Sequence, residues 1–256
     1  MKILVVGGGG REHALAWKLA QSKRCSKLYA APGNPGIAQV GECVAIAADD
    51  VDALARFARE KAIGLTVVGP EAPLVAGIVD RFEADALRVF GPTQAAARVE
   101  GSKVWCKDVM HGSAVPTAEY RAFTSASEAR RYIDNHEEPL VVKASGLAAG
   151  KGVFVCRTQD EAREAVKQIM IDQAFGQAGE TVVIEERLSG EEASFLDLVD
   201  RQNIYTLESS QDHKPAFDGD EGPNTGGMGA YSPAPVVTEK ISRQVDRDVL
   251  VPMVHG

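Results

Sequence analysis

Cysteine is sparse and unclustered in this sequence. Cys25, Cys43, Cys106 and Cys156 are scattered with no C-x-x-C pair. That pattern excludes a disulfide framework and a zinc-finger type of site, and it fits a reducing compartment. Positive charge is also in deficit. Lys and Arg number 28 against 36 Asp and Glu, which leaves a formal charge of −8. That balance argues against a general nucleic-acid binder, which is normally basic. Long apolar runs are missing: nothing approaches the roughly 20 apolar residues of a membrane span. Residues 3–6, ahead of the first glycines, are too short for a signal h-region. The expectation is a cytoplasmic protein with no nucleic-acid or membrane partner. With 45% hydrophobic residues, the 256-residue chain can bury a full core as one large domain or two small ones.

The common nucleotide motifs are absent as well. A P-loop needs four residues between its first glycine and Gly-Lys, then a hydroxyl residue for magnesium. Here Gly146 and Gly150 enclose only Leu147, Ala148 and Ala149, and Gly152 stands where the hydroxyl belongs. A dinucleotide fingerprint starting at Gly7 needs a glycine at its sixth position and finds Glu12. The next strand ends in Pro32-Gly33-Asn34-Pro35-Gly36, with no acidic residue to hold a ribose.

What is present is a strand–helix alternation over the first hundred residues. Residues 3–6 read as a buried parallel strand, followed by Gly7-Gly8-Gly9-Gly10 and a helix over 11–21 with Leu15, Trp17 and Leu19 on its apolar side. Such a turn offers unpaired N–H groups and a helix dipole to an anion, or it simply lets helix and strand pack closely. Strand 28–31, helix 52–62, strand 65–68 running into a loop over 69–74, a helix from there to about 84, and strand 88–90 continue the rhythm. Alternation of this kind predicts a parallel α/β sheet with ligands beyond the carboxyl ends of its strands. The polar residues of those loops, Arg11, Glu12, His13, Asn34 and Glu71, are the first substrate candidates. His13 and Glu71 taken singly read equally well as helix-terminal residues.

After a short helix at 94–99 the rhythm stops. Ser102 predicts the N-cap of a helix over 103–110, and the domain boundary is placed at 102/103. Beyond it the sequence predicts a strand over 117–123, a helix over 125–135 with a Ser125–Glu128 capping box, a helix over 160–170 and a strand over 182–186. A hairpin of 193–199 with 204–208 follows, turning at 200–203. Residues 140–153 stand out: an apolar strand ends in Lys143, a loop of small residues carries Gly146, Gly150, Lys151 and Gly152, and a second apolar run closes it. The loop can lie over a polyphosphate, its lysines neutralising charge, or be an ordinary surface hairpin. Residues 209–235 read as one long loop for substrate, against a disordered tether. The pair Asp218 and Asp220 invites a calcium reading, which fails for want of the glycine and terminal glutamate. Residues 238–254 have helical spacing.

Several local motifs together resemble one family. They are Gly7–Gly10 with Arg11-Glu12-His13, Gly69-Pro70-Glu71-Ala72-Pro73-Leu74, Gly101-Ser102-Lys103, the loop 146–152, Glu185-Glu186, Gly190-Glu191-Glu192, Gln211-Asp212-His213-Lys214 and Gly222-Pro223-Asn224-Thr225-Gly226-Gly227-Met228-Gly229-Ala230-Tyr231. The chain is similar from end to end to the phosphoribosylamine–glycine ligases of the ATP-grasp superfamily. The resemblance implies a Rossmann-like pre-ATP-grasp domain over 1–102 and an incomplete α+β ATP-grasp domain over 103–256, with a small lid subdomain at about 120–187. It implies ATP with Mg2+ or Mn2+, and glycine and 5-phosphoribosylamine joined through glycyl phosphate by a monomer.

Residue by residue, the resemblance assigns ATP phosphates to Lys103 and Lys143, and the lid to Ser145, Gly146, Gly150, Lys151 and Gly152. It assigns adenine to the hinge at Glu185 and Leu188, and ribose to Glu192, although Glu191-Glu192 alone would read as a solvated turn. Lys143, Asp212 and Lys214 are the catalytic candidates. Gly9, Gly10, Arg11, Glu12, Asn34 and Glu71, with Asn224, Thr225, Gly226, Gly227 and Met228, are the substrate candidates. Three departures stand out. Ser145 replaces an expected aspartate, and Pro215 replaces an expected arginine. The segment with the metal-binding Glu and Asn would lie beyond residue 256, so no metal ligand is assigned within this chain and the chain alone is expected to be inactive. A weak nucleotide-binding module and a different ATP-grasp carboxylate–amine ligase are the competing readings.

Overall fold

The computed structural model describes residues 1–255 apart from 137, 138, 149, 150, 201, 202 and 220; the side chains of 223 and 224 also lie outside the description. The chain packs as two compact units, one made of Met1–Cys106 with Ala144–Gly152 and Asp172–Thr181, the other of Lys107–Lys143, Val153–Ile171 and the chain from Val182 on.

The first unit contains β1 (Lys2–Gly7), α1 (Gly10–Ala20), β2 (Lys27–Pro32), β3 (Glu42–Cys43), α2 (Val51–Glu60), β4 (Leu65–Val68), α3 (Glu71–Val75), α4 (Ile78–Ala84), β5 (Val89–Phe90) and α5 (Gln94–Gly101). Its strands form one parallel sheet in the order β3-β2-β1-β4-β5. Side chains alternate across it: Leu4, Val6, Tyr29 and Ala31 pack with Leu54, Ile78 and Phe82, while Val5, Leu28 and Ala30 pack with Ala16 and Ile37. Both faces are therefore covered, as the unbroken apolar runs require. The order reverses direction between β1 and β4, which puts a crevice beyond their carboxyl ends.

Two expectations fail in this unit. Trp17 is exposed, and the buried stripe of α1 runs instead through Glu12 and Ala16. Ala16, with nothing beyond Cβ, lets the helix lie close to the sheet, and the bulky indole is left outside. The stretch expected as a loop over 69–74 holds α3, and Gly77, at φ +85°, separates it from the expected helix, α4.

The second unit starts within α6 (Lys103–Gly112). It holds β6 (Tyr120–Phe123), α7 (Ala126–Asp134), β7 (Leu140–Ala144), β8 (Val153–Cys156), α8 (Gln159–Val166), β9 (Val182–Glu186), β10 (Asp197–Val199), β11 (Ile204–Thr206), β12 (Gln211–Phe217), β13 (Glu221–Tyr231), α9 (Glu239–Val245) and α10 (Val251–His255). A single turn of π-helix extends α8 over Lys167–Ile171, and another joins α9 to α10 over Asp246–Leu250. Strands β6-β9-β7-β8 form one sheet. Its covered side is built by Leu140, Val142 and Cys156 with Ala129, Ile133, Ala162, Val166 and Ile169, all buried. No described helix is long and apolar enough to cross a membrane.

Here too the structure corrects the sequence reading. The long loop over 209–235 is largely an antiparallel ribbon of β12 and β13, with register shifts on both sides of Pro215. Its many glycines hid the strand pattern, since glycine supplies no alternating side chain. The hairpin of β10 and β11 forms as expected, though Arg201 and Gln202 of its turn lie outside the described residues. The Ser125–Glu128 capping box does not form: Ser125 makes no cap hydrogen bond and its hydroxyl pairs with Ser127.

Two local features of the first unit lead to measurable expectations. Glu12 is only 4% exposed, and Gly69 passes so close to it that a Cβ there would overlap its carboxylate. We expect Gly69→Ala to lower the unfolding free energy by about 1–3 kcal/mol, the usual cost of overpacking, read by urea denaturation. A change under 0.5 kcal/mol would show that Glu12 yields freely. The N-terminus of α6 is closed by two serines, Ser102 accepting from the Trp105 N–H at 3.2 Å and Ser145 from the Val104 N–H at 3.3 Å. An anion at that terminus gains from the helix dipole, so Ser145→Asp should stabilise the protein by about 0.5–1 kcal/mol at low salt and by less at high salt. A loss of stability in the same denaturation assay would refute an electrostatic cap.

Candidate functional site

The first unit gathers most of its candidates at the carboxyl ends of β1, β2 and β4. Glu12 Oε2 accepts the Gly9 N–H at 2.7 Å and Oε1 accepts Arg11 Nε at 3.0 Å. Arg11 reaches across to Glu71, Nη1 to Oε1 at 2.9 Å. Asn34 donates to the Gly8 and Gly9 carbonyls at 2.9 and 3.3 Å and accepts the Ile37 N–H at 2.8 Å. The glycine turn is thus held from two sides, by Glu12 below and Asn34 beside it. The bond to Glu71, joined by that to Glu12 and opposed by partial burial, raises the Arg11 pKa further. Burial of Glu71 works against its ionisation, yet the Arg11 hydrogen bond and a backbone bond outweigh it and hold the carboxyl below its usual range. Both groups stay charged at neutral pH. They line a small cavity of about 210 Å³ with Leu74, Pro92, Ala97 and Glu100. His13 stands apart from this cluster, its ring packed against Gly36.

The same unit holds the base of the glycine loop. Ser145, 7% exposed, also accepts the Lys103 N–H through its carbonyl at 2.9 Å and donates its own N–H to Thr181 at 2.9 Å. Lys103 Nζ donates to the Gly146 carbonyl at 3.3 Å. Lys151 is exposed, its N–H bonded to the Ala148 carbonyl. Gly150 lies outside the described residues.

In the second unit, Lys143 on β7 and Glu185 on β9 are brought together, Nζ to Oε2 at 2.8 Å. Glu185 is 5% exposed and the same oxygen takes a second cation, Lys107 of α6, at 3.4 Å. Lys107 donates to Thr117 Oγ1 at 2.7 Å and to the Ala118 carbonyl at 3.1 Å, and lies 5.4 Å from the ring centroid of Tyr120. Burial, then a hydrogen bond to Asp108 at 2.8 Å, push the Tyr120 phenol up to about 12, so it remains neutral.

Lys143 shares its face of the sheet with Val141, and it is paired in register with Val153, as Val141 is with Val155. Those three valines, with Arg187 and Leu188 after β9 and Pro215 and Gly222 of the ribbon, line a cavity of about 730 Å³ that also reaches Glu161, Glu164 and Gln168. Leu188 is exposed. Apolar walls with a cation on the same sheet face suit a planar, partly apolar ligand that carries anionic groups.

The ribbon forms a further cluster. Lys214 Nζ pairs with Glu192 at 2.6 Å and Asp212 at 3.4 Å, and the bond to Glu192 raises its pKa. Thr225 donates to the Lys214 carbonyl at 2.9 Å and accepts the Gly227 N–H at 3.0 Å. Gly226 has open space around it, Gly227 takes φ +122° and Met228 is exposed. The Asn224 side chain lies outside the described residues. Among the described residues no group of three or more His, Cys, Asp or Glu could hold a metal ion, so no step is routed through one.

Sequence reasoning missed Lys107, which reads as an ordinary helix lysine. Its signal was spacing: four residues after Lys103 puts both on one side of α6. It also missed Val141, Val153 and Val155 as cavity walls. Apolar residues on both faces of a strand were the clue, since such a strand has something to cover on each.

Two family profiles match the chain: phosphoribosylglycinamide synthetase, N domain, over residues 1–100, and phosphoribosylglycinamide synthetase, ATP-grasp (A) domain, over 101–256. Among curated relatives, the phosphoribosylamine–glycine ligase of Xanthomonas campestris is 55% identical over all of this chain and 60% of its own length. That of Pasteurella multocida is also 55% identical with the same coverage. Among solved structures, the phosphoribosylamine–glycine ligase of Thermotoga maritima superposes with a TM-score of 0.81 at 30% identity, covering 99% of this chain and 60% of that one. N5-carboxyaminoimidazole ribonucleotide synthetase from Thermus thermophilus, at 23% identity and a TM-score of 0.69, shares the fold. The chain spans about 60% of the length of these curated relatives. With both profiles matched, together spanning residues 1–256, the chain belongs to the phosphoribosylglycinamide synthetase family.

Proposed function

We propose that this chain supplies the nucleotide and sugar-phosphate sites of a phosphoribosylamine–glycine ligase. The observation that carries the reading is Lys143, on the same sheet face as the valines that wall the 730 Å³ cavity. In this reading the valines and Leu188 take adenine, the backbone after Glu185 reads its edge, and Lys143 faces the phosphates. Glu192 takes the ribose, exchanging Lys214 for hydroxyl donors. In the first unit, Lys103 and Lys151 offer phosphate contacts, the glycine loop with Ser145, Gly146 and Gly152 serves as their cover, and the crevice of Gly9, Gly10, Arg11, Glu12, Asn34 and Glu71 takes 5-phosphoribosylamine. Asp212, Lys214 and residues 224–228 take glycine and the acyl phosphate.

The reaction asks for positioning and charge rather than a protein nucleophile. A carboxylate oxygen of glycine takes the γ-phosphoryl group of ATP, giving glycyl phosphate and ADP. The amine of phosphoribosylamine then attacks the acyl carbon and phosphate leaves, forming the amide. Ribbon N–H groups at Thr225 and Gly226 stabilise charge on the acyl oxygen. The family uses a divalent metal with ATP; residues 1–256 alone are assigned binding without turnover. We assign a monomer acting in the cytoplasm on small molecules, with residues 103–256 as the ATP-grasp domain and about 120–187 as its lid.

Two measurements test this reading. A chimera joining residues 1–256 to the remaining carboxyl-terminal length of the Xanthomonas campestris relative should release ADP only when glycine and phosphoribosylamine are both present. Release without glycine would overturn the assignment, and turnover by residues 1–256 alone would overturn the division of labour. By calorimetry, Lys143→Met should weaken ATP binding by about tenfold or more while leaving adenosine within about twofold, as for loss of a charge-assisted phosphate contact. Equal loss for both ligands, or none, would remove Lys143 from the phosphate site.

A further inference from the structure

Glu185 is buried and its Oε2 is shared by two ammonium groups, Lys143 at 2.8 Å and Lys107 at 3.4 Å. The three side chains carry one positive charge in surplus. The two lysines differ in what else holds them. Lys107, 8% exposed, is fixed by Thr117 Oγ1, the Ala118 carbonyl and the face of Tyr120. Lys143 has a side chain 25% exposed and stands on the open face of the sheet beside the cavity valines. One cation is anchored on the closed side of the carboxylate, and the other stands where a ligand can reach it.

We infer that Lys107 is a positioning residue that neutralises Glu185 and so releases Lys143 for the phosphates of a bound nucleotide. The inference rests on the proposed phosphate role of Lys143. If Lys143 were the only partner of Glu185, moving its ammonium toward a phosphate would strand a buried carboxylate, which is strongly unfavourable. With Lys107 in place the carboxylate keeps a partner throughout, and Lys143 shares its charge with an incoming anion at little cost. Without Lys107, Glu185 and Lys143 would close into a neutral pair that competes with the nucleotide. Lys107 has no need to touch the ligand for this effect.

The test is calorimetric titration of residues 1–256 and its variants with ATP and with adenosine. Lys107→Met should weaken ATP binding by about tenfold, in line with truncation of one partner of a buried charge pair, and leave adenosine within about twofold. Adding Glu185→Gln to Lys107→Met removes the carboxylate that traps Lys143 and should restore most of the ATP affinity. Lys107→Arg, which keeps the charge, should stay close to the parent protein. Parallel loss of ATP and adenosine binding that Glu185→Gln fails to rescue would reduce Lys107 to a structural cation and overturn the inference. So would unchanged ATP binding in Lys107→Met. If Lys107→Met does not fold, the double variant and Lys107→Arg carry the test: the inference requires both to bind ATP. Failure of the phosphate reading itself shows separately, as a Lys143→Met protein that binds ATP normally; with that reading intact, failure at Lys107 counts against this inference alone.

Discussion

A carboxylate buried among cations is the constraint around which the second unit is built. Burying a charge without a partner is prohibitive, so Glu185 needs a cation from a neighbouring strand and another from a helix. β7 supplies Lys143 and α6 supplies Lys107. This fixes which face of β7 looks toward the cavity. Lys143 and Val141 must share one side, and Leu140, Val142 and Ala144 must enter the core.

The first unit solves the matching problem with a buried carboxylate of its own. Glu12 is the buried anion, and its partners are the Gly9 N–H and the Arg11 guanidinium. It ties the glycine turn to the start of α1, while Gly7 and Gly69 are glycines at places where a Cβ would meet the Glu12 side chain. Arg11 then bridges to Glu71 on the neighbouring loop. Two loops at the reversal point of the sheet are thereby joined by charge rather than by apolar contact. A polar crevice is left at the end of the sheet where helix N-termini gather.

Much of this was legible in the residues. The parallel alternation of the first hundred residues, the antiparallel β7–β8 pair and the strand at Val182–Glu186 follow from apolar runs of the right length between glycine and polar breaks. The misses share a cause. Trp17 was counted as core because it is apolar, yet burial on a helix packed closely to a sheet is set by size as well as polarity. The β12–β13 ribbon was taken for a loop because glycine-rich strands carry no side-chain alternation. The Ser125 cap was assigned on spacing alone, and its hydroxyl found Ser127 instead.

The sequence by itself determined the fold class, the family and the strand–helix rhythm of the first hundred residues, because these are written in local patterns: periodicity, caps, and short motifs read along the chain. It also marked Lys143, Glu185, Asp212 and Lys214 as candidates. Only the tertiary structure decided their partners. That Glu185 is held by two lysines, that Lys214 sits between Glu192 and Asp212, and that Ser145 caps a helix that begins 42 positions earlier in the chain, at Lys103, are contacts across long sequence separations. No periodicity encodes them. They arise when buried charges and unpaired N–H groups must find partners among whatever the packed elements bring within reach.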